Sequence, residues 1–390
     1  MSAKLQSYID LRPIDKGRTV NVPLLDLKAQ YAAIRDAVMV AVMSVIERQQ
    51  FIMGPEVEQL EAAVAKLSAV RHAIGCASGT DAILLPLKAL ALAPGDEVIV
   101  PAFTFFATAG TVHNAGGTPV FVDIEADTFN ISAAAIEAAI TPRTRAIVAV
   151  HLYGQMAAME KILGVAGKHG IPVIEDAAQA IGARRLMDGA WRLAGETGWA
   201  GTLSFFPSKN LGAWGDGGMI LTQEDGLADQ MRKMRLHGGT KEYFHDFVGT
   251  NSRLDTLQAA VLLAKVPFLA GWTAARHANA MAYSARLAGC PGVTPPAVDP
   301  VNEHIFHQYT IRAARRDALM VHLKARGIGC AVYYPLALHL QPCFARLGYR
   351  RGSLPVTEAA TAEVISLPAY PELTEGQMDA VVEAVHEFYD

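Results

Sequence analysis

The sequence predicts an α/β fold with a mostly parallel sheet between helices, followed by a smaller α+β domain. Short apolar runs alternate with helix-like segments and end in polar or turn residues: DEVIVPAF, TPVFVDI, RAIVAVHLYG and IPVIEDAA. Such runs are typical of parallel strands buried on both faces. From about residue 270 the pattern changes at the Pro/Gly-rich segment GCPGVTPPAVDP. We expect an extension over 1–21, a large domain over 22–270 and a small domain over 271–390.

Further elements surround the alternating region. In EVEQLEAAVAKLSAV, Val57, Leu60, Val64 and Leu67 recur at helical spacing, which predicts an amphipathic helix. GGMILT reads as an additional strand of the large domain, and HQYTIRA as a strand of the small one. RDALMVHLKARGIG reads as a helix that ends at glycine.

The composition indicates a globular chain whose partners are small molecules. The 390 residues, at roughly 150 per domain, allow two or three domains, and 51% are hydrophobic. With 34 Lys and Arg against 38 Asp and Glu, the net charge is −4. Such a chain offers no basic field for nucleic acid or an acidic membrane, so we expect neither as a partner.

The cysteines and the N-terminal residues suggest a soluble, cytoplasmic protein. The 4 cysteines are far apart and form no C-x-x-C pair, which argues against a zinc knuckle and a disulfide framework. The first residues carry charges where a signal peptide needs an apolar core. The later sequence contains no run of about 18 apolar residues.

The segment GCASGTDAILLPLKAL places small and hydroxyl residues directly before a helix-like run. The backbone N–H groups of such a loop and the Thr80 hydroxyl can bind an anion, most obviously phosphate, at a helix N-terminus. In an isolated S-G-T-D motif, Ser78 or Thr80 more often only caps the helix. The motif alone leaves both interpretations open.

Two carboxylates end the predicted strand in PVIEDAAQA: Glu175 and Asp176, with Gln179 three residues later. A carboxylate in a low-dielectric site can hold a proton on the ring nitrogen of a ligand, because the ion pair stabilises the charged ring. The alternative is that one of the two caps the following helix.

The segment PAFTFFAT follows another predicted strand and contains Phe103, Phe105 and Phe106. Aromatic residues near a strand end more often pack in the core than stack on a ligand. Stacking of one of them on a ring therefore depends on the other motifs.

Lys209 lies in SFFPSKNLGAWGDGG, between aromatic residues and four glycines that permit sharp turns or close approach to a ligand. Most lysines are solvated surface residues. A lysine amine in a partly dry pocket, however, has a lowered pKa and can form a Schiff base with an aldehyde.

Two polar motifs in the second half of the chain are ambiguous. In GTNSRLDTLQAAVLL, Ser252 and Asp255 have the spacing of a helix cap, which leaves Asn251 and Arg253 to contact other groups. His304 and His307 are three residues apart, but the strand predicted beside them argues against a helical metal pair, so we expect no metal site.

Together, a phosphate loop, an aromatic ring, a carboxylate for a ring nitrogen and a lysine in a glycine-rich turn match the requirements of pyridoxal 5'-phosphate. The chain also resembles the DegT/StrS family of PLP-dependent nucleotide-sugar aminotransferases, of fold type I. From about residue 22 to the end, the matching segments are DLKAQY, FIMGPEVEQLE, SGTDAI, PAFTFFAT, HLYGQ, IEDAAQAIGA, SFFPSKNLG, GDGG, NSRLDTLQAA and YYPLALHLQP.

The resemblance implies a role for each matching residue. Lys209 is the lysine that binds the cofactor covalently, and Asp176 pairs with the pyridine nitrogen. The other implied cofactor contacts are Gln179 at the phenolic oxygen, Phe105 stacked on the ring, Gly79, Thr80 and Ser204 at the phosphate, and Asn251 from the neighbouring subunit of a homodimer. Arg253 and Tyr334 lie in motifs that line the substrate side.

The resemblance further implies transfer of an amino group from L-glutamate to a dTDP- or UDP-linked keto sugar, in amino-sugar biosynthesis. The segment NSRLDTLQAA is closer to family members that aminate C3, so a 3-keto sugar is expected and a 4-keto sugar is the alternative. Related sugar dehydratases have histidine at the lysine position, whereas this chain has Lys209. An alternative of another class is a regulatory protein that kept the fold and lost catalysis.

Overall fold

The computed structural model describes residues 21–390. Residues 1–20, nearly all of the predicted extension, lie outside the described residues. The strands are β1 His72–Cys76, β2 Glu97–Pro101, β3 Thr118–Val122, β4 Thr144–Val150, β5 Val173–Asp176, β6 Arg184–Met187, β7 Ala190–Leu193, β8 Ala200–Ser204, β9 Gly218–Thr222, β10 Val293–Thr294, β11 Asn302–Glu303, β12 Tyr309–Ala313 and β13 Val364–Leu367. The α-helices are α1 Leu27–Arg48, α2 Pro55–Leu67, α3 Gly79–Ala89, α4 Ala107–Asn114, α5 Ala133–Ala139, α6 Met159–His169, α7 Asp225–Met234, α8 Thr256–Lys265, α9 Leu269–Leu287, α10 Arg316–Ala325, α11 Pro355–Glu363 and α12 Glu375–Tyr389.

A seven-stranded sheet forms the centre of the fold, in the order β1-β9-β8-β5-β4-β2-β3. The pairs β2–β3, β2–β4, β4–β5 and β5–β8 are parallel. Only β9 runs against the rest of this sheet, since it pairs antiparallel with both β1 and β8. All five strands predicted from apolar runs belong to this sheet, and the mostly parallel α/β architecture is confirmed.

Both faces of this sheet are buried, which explains the continuous apolar runs. In β4, Ile147 packs into one apolar cluster and its neighbour Val148 into another. Successive side chains of a strand point to opposite faces, so the two clusters lie on opposite sides of the sheet. The predicted amphipathic helix is α2, whose Val57, Leu60 and Val64 join the cluster of Ile147.

A smaller antiparallel sheet, β10-β12-β13, organises the C-terminal part. It packs with α9, α10 and α12 around a separate apolar cluster that includes Tyr283, Tyr309 and Val381. The predicted strand in HQYTIRA is β12, and the predicted helix in RDALMVHLKARGIG is α10. We propose that residues 271–390 form the small domain, with its beginning inside the first turn of α9.

Two connections between the N-terminal and C-terminal halves were not predicted. Val22 forms a parallel bridge with Ile328 and is buried in the C-terminal cluster. Strand β11 pairs with β6 in a third sheet, β11-β6-β7, where Arg185 forms ion pairs with Glu160 and Asp299. Such pairings join residues far apart in sequence and leave no periodic signal in either segment.

Two helical stretches, Leu27–Arg48 and Thr256–Leu287, are long and apolar enough to cross a membrane by length and composition alone. They do not indicate a membrane protein, because the core helices of soluble proteins have the same properties. Here Ile34 and Val38 of the first stretch pack against Val261 of the second. These helices thus pack against each other within the described fold.

We expect Val148→Ala to lower the free energy of unfolding by about 2 kcal/mol, because the lost methyl groups leave a cavity in the core. The same substitution at Val321, which is 66% exposed on α10, should change it by less than about 0.5 kcal/mol. Urea denaturation followed by circular dichroism measures both. Equal effects would contradict the central position of β4.

Candidate active site

The carboxyl ends of the parallel strands meet at one edge of the central sheet, next to a cavity of about 630 Å³. Eight of the ten predicted site residues line this cavity: Gly79, Thr80, Phe105, Asp176, Gln179, Ser204, Lys209 and Tyr334. They come from α3, from the loops that follow β2, β5 and β8, and from the C-terminal half. Residues scattered over more than 250 positions of the chain therefore converge on one cavity.

Lys209 lies in the loop between β8 and β9. Its backbone N–H donates to the Phe206 carbonyl at 2.8 Å, and the Ala213 N–H donates to the Phe205 carbonyl at 2.8 Å, so the loop is closed by its own hydrogen bonds. Burial of the amine lowers the pKa of Lys209 to about 8, although the charge of Asp176 acts in the opposite direction. The amine is thus closer to its neutral, nucleophilic form than that of a surface lysine.

Asp176 ends β5 with its carboxylate at the cavity and only 5% of its surface exposed. The Thr108 hydroxyl donates to Oδ2 at 2.8 Å and the Ala178 N–H to Oδ1 at 3.2 Å. Burial raises the pKa of Asp176, although both hydrogen bonds and the charge of Lys209 oppose it. A cation placed against this carboxylate would restore its charged form.

Glu175, the neighbouring carboxylate, points away from the cavity. It accepts hydrogen bonds from His151 Nε2 at 2.7 Å and from the N–H groups of Gly195, Thr197 and Gly198. Burial would raise the pKa of Glu175, but the hydrogen bond and charge of His151, with the backbone donors, lower it overall. Neither carboxylate is the cap of a following helix, so this alternative was wrong for both.

The N-terminus of α3 faces the cavity beside the end of β8. Ser78 caps the helix, since its hydroxyl accepts from the Asp81 N–H at 3.1 Å. Gly79 and Thr80 are the first helical residues, and N–H groups there have no acceptor within the helix. A Cβ on Gly79 would lie 2.5 Å from the Ser204 Cβ, so only glycine permits this approach. The resulting cradle of N–H and hydroxyl donors fits a phosphate.

Only one of the three phenylalanines of PAFTFFAT lines the cavity. Phe105 is 58% exposed there, with its ring centre 6.3 Å from that of Tyr334. Phe103 is buried in an apolar cluster, and Phe106 stacks on Phe344. An exposed aromatic ring at a cavity wall is available to stack on a flat ligand.

Gln179 is held on both sides of its amide. Its Oε1 accepts from the Tyr153 N–H at 2.7 Å, and its Nε2 donates to the Tyr334 hydroxyl at 3.1 Å. Burial raises the pKa of Tyr334, so this phenol is neutral at physiological pH. Gln179 and Tyr334 therefore form one polar wall of the cavity.

Asn251 and Arg253 do not line the cavity of their own chain. Asn251 is exposed and forms a bridge with Leu236. Ser252, between them, is not the predicted helix cap, because α8 begins at Thr256. Instead, its hydroxyl donates to Asp81 at 2.6 Å and accepts from the Ala77 N–H, which fastens this segment to the loop before α3.

Several cavity residues were missed from the sequence. His307 lines the cavity, and its Nδ1 donates to the Asn210 Oδ1 at 3.0 Å. Burial and the nearby charges of Lys209 and Arg276 lower the pKa of His307, which is therefore neutral. The H-x-x-H spacing draws attention to metal binding, whereas His307 lies two residues before β12 and reaches the cavity from there. Further missed lining residues are Ser78, Thr104, Ser208, Gln308 and Tyr333.

Comparison with known proteins gives matches over almost the whole chain. The model of the DegT/DnrJ/EryC1/StrS aminotransferase family matches residues 32–386. A "pleiotropic regulatory protein" of Geobacillus stearothermophilus is 52% identical over 95% of this chain and 99% of its own. A UDP-N-acetyl-3-dehydro-alpha-D-glucosamine 3-aminotransferase of Acidithiobacillus ferrooxidans is 46% identical over 93% of this chain and 97% of its own.

The solved structures give the same result. The crystal structure of S. venezuelae DesV in complex with a ketimine intermediate superposes with a TM-score of 0.92 at 42% identity, and covers 95% of this chain and 99% of its own. Sequence relatives and structural neighbours therefore agree with the fold type that the motifs predict.

The lowered pKa predicts a pH dependence for the Lys209 amine. With a pKa of about 8, the neutral amine increases from about a tenth of the molecules near pH 7 to most of them near pH 9. In cofactor-free protein, trinitrobenzenesulfonate should therefore modify Lys209 with a midpoint near pH 8, as followed by peptide mass spectrometry. The other lysyl peptides are internal controls, and a midpoint above pH 10 for Lys209 would contradict its burial.

Thr108→Val should weaken binding of pyridoxal 5'-phosphate about tenfold or more, because a hydrogen bond to a charged group contributes about 1.5–3 kcal/mol. Thr111→Val on the same helix is the matched control, since the Thr111 hydroxyl donates only to the Ala107 and Thr108 carbonyls. Absorbance titration of cofactor-free protein measures both affinities. Equal affinities for the two variants would show that Thr108 does not support Asp176.

Proposed function

The chain belongs to the DegT/DnrJ/EryC1/StrS aminotransferase family, and we propose that it transfers an amino group from L-glutamate to a nucleotide-linked 3-keto sugar. It is a PLP-dependent aminotransferase of fold type I. The observation that carries the proposal is the shared cavity, in which the Lys209 amine of lowered pKa lies with Asp176 and the N-terminus of α3. This cofactor requires three things of a protein: an amine that bonds to it covalently, a carboxylate that pairs with its ring nitrogen, and a group of donors that binds its phosphate.

The residues present fit pyridoxal 5'-phosphate. Gly79, Thr80 and Ser204 would hold its phosphate, because the first N–H groups of α3 lie with the Thr80 and Ser204 hydroxyl residues at the same cavity. Asp176 would hold the proton of the ring nitrogen. Phe105 would stack on the ring, and Gln179 would lie by the phenolic oxygen. These roles follow from the family resemblance and from the positions of the side chains at the cavity.

The catalytic work of the chain falls on two side chains. When bound, pyridoxal 5'-phosphate supplies a carbonyl carbon that takes up the amino group and a protonated ring that withdraws electrons from the reacting carbon. Lys209 would hold the cofactor covalently. Its amine, once free, would carry a proton between the donor's α-carbon and the C4' carbon, for which a pKa of about 8 is well matched. Asp176 would keep the ring nitrogen protonated.

A nucleotide-linked 3-keto sugar is the proposed acceptor. The Acidithiobacillus relative is named as a 3-aminotransferase of a UDP-linked sugar, and the segment NSRLDTLQAA is of the type that we associate with amination at C3. The cavity of about 630 Å³ is within the usual size range of small-molecule sites. We propose that Tyr334 contacts the substrate within this cavity and that Arg253 does so at the subunit boundary.

A homodimer is proposed as the functional unit, with Asn251 reaching the phosphate of the neighbouring subunit. The support is the exposed position of Asn251, away from its own cavity, and an exposed apolar surface on α1. Val40, Met43 and Ile46, spaced three residues apart on α1, form this surface. Apolar surfaces of this kind mark interaction sites between proteins.

The alternative, a regulatory protein without catalysis, is supported by the name of the Geobacillus relative, a "pleiotropic regulatory protein". A protein that had lost catalysis would have no need of the Lys209 amine beside Asp176, yet both line the cavity. We therefore favour an active enzyme.

We also propose a cytoplasmic location, consistent with the free thiols of Cys76, Cys290, Cys330 and Cys343.

Lys209→Ala should abolish transamination, because the variant lacks both the covalent amine and the proton carrier. Asp176→Asn should lose at least about a hundredfold in rate while still binding cofactor, because the ring-nitrogen proton is no longer stabilised. The amount of 2-oxoglutarate formed from L-glutamate with a keto-sugar nucleotide measures both. A near wild-type rate in Lys209→Ala would rule out the proposed reaction. An unchanged rate in Asp176→Asn would mean that the ring nitrogen has another partner.

The acceptor can be identified by incubating the wild-type enzyme with L-glutamate and UDP- or dTDP-linked sugars carrying the ketone at C3 or C4. We expect amination of a 3-keto sugar, with the position of the new amine read by NMR. Preferential amination of the 4-keto series would replace the C3 assignment, and turnover of any member excludes an inactive regulatory protein.

A further inference from the structure

A buried arginine lies beside the candidate active site, and no carboxylate in the described part of the chain pairs with it. Arg276 projects from α9 and is 5% exposed. Its Nη1 donates to the His307 carbonyl at 3.3 Å and the Ala369 carbonyl at 3.5 Å, both long hydrogen bonds. Within residues 21–390, its Nε has no acceptor. Burial lowers the pKa of Arg276 to about 10, so the guanidinium remains charged at neutral pH.

Arg276 also lines a cavity of about 80 Å³ that adjoins the larger one. Ser208, His307, Gln308 and Tyr333 line both cavities, whereas Arg276 lines only the smaller. Ser208 directly precedes Lys209 in the chain. The small cavity is therefore a side chamber of the active site on the Lys209 side.

The charges around this chamber favour an anion. Arg276 and Lys209 both act on the His307 ring, which their charges help to keep neutral. Glu372 affects Arg276 only through its field, and burial raises the pKa of that carboxyl group. A buried guanidinium without an anionic partner is costly, and its planar donors match a carboxylate.

The size of the chamber limits what can enter it. A single water needs about 10–15 Å³ of cavity, so about 80 Å³ holds more than one water but not a sugar nucleotide. A carboxylate group fits. A molecule with its carboxylate in this chamber and its other end in the larger cavity would reach Lys209.

We propose that Arg276 and this chamber bind the side-chain carboxylate of a dicarboxylic amino donor such as L-glutamate. The donor's amino group lies at Lys209, and its side chain passes His307 into the chamber. This inference rests on the proposed function and adds the residue that selects the donor. Arg276 is a binding residue in this scheme and takes no part in proton transfer.

The test compares Arg276→Met and Arg276→Lys with the wild-type holoenzyme. The half-saturating L-glutamate concentration is read from the loss of cofactor absorbance, and calorimetry measures binding of glutarate, a dicarboxylate without an amine. For Arg276→Met we expect the half-saturating concentration of L-glutamate to rise at least about tenfold and the affinity for glutarate to fall by a similar factor, while the half-saturating concentration of L-alanine does not change. Arg276→Lys should show smaller losses of L-glutamate and glutarate affinity, because the positive charge remains.

Arg316→Met is the matched control. Arg316 is also a buried arginine that donates to backbone carbonyls, those of Thr361 and Val364, and it does not line either cavity; unlike Arg276, it also pairs with a carboxylate, that of the exposed Asp317. Its loss tests the general effect of removing a buried guanidinium, and L-glutamate saturation should not change. An equal rise in both methionine variants would overturn the proposal.

The proposal is also overturned if Arg276→Met binds cofactor and saturates with L-glutamate as the wild type does. If Arg276→Met does not fold, the wild-type enzyme alone can test the proposal. Equal half-saturating concentrations of L-glutamine and L-glutamate would exclude a site for the side-chain carboxylate. If the proposed function itself is wrong, the result differs: no amino donor alters the cofactor absorbance. Glutarate binding that is lost in Arg276→Met would still support a carboxylate site in the chamber.

Discussion

The buried carboxylate of Glu175 holds together the edge of the sheet on which the site is built. It is fully buried, and His151, directly after β4, and the N–H groups of Gly195, Thr197 and Gly198 donate to it. An ion in such a place is stable only if its hydrogen-bonding capacity is filled. Because Glu175 ties β4 and the chain before β8 to β5, the adjacent Asp176 reaches the cavity from a rigid frame.

The sequence predicted most of the fold and most of the candidate site, for different reasons. Five of the seven strands of the central sheet were predicted from their apolar runs, which arise because both faces of the sheet are buried, as Ile147 and Val148 of β4 illustrate. The site residues were found through motifs, and eight of the ten lie at one cavity. Asn251 and Arg253 do not line this cavity in the chain's own structure.

What sequence could not predict depends on contacts between distant segments. Thr108 looks like any helical threonine until the fold brings its hydroxyl to Asp176. The helix that contains Arg276 shows an ordinary pattern, and only the tertiary structure reveals a buried guanidinium with no carboxylate partner among residues 21–390. Ser252 was misread because its spacing matched a cap, whereas long-range hydrogen bonds to Asp81 and Ala77 determine its place.

The close approach of Gly79 to Ser204 has a consequence for the evolution of this chain. A methyl group at position 79 would collide with the Ser204 side chain at 2.5 Å, and the two residues lie 125 positions apart in the sequence. Position 79 cannot take a larger residue while Ser204 stays in place, because the new Cβ would lie within 3.1 Å of the Cα, Cβ and Oγ atoms of Ser204. A substitution at 79 therefore requires a second change, either a smaller residue at 204 or a shift of the backbone.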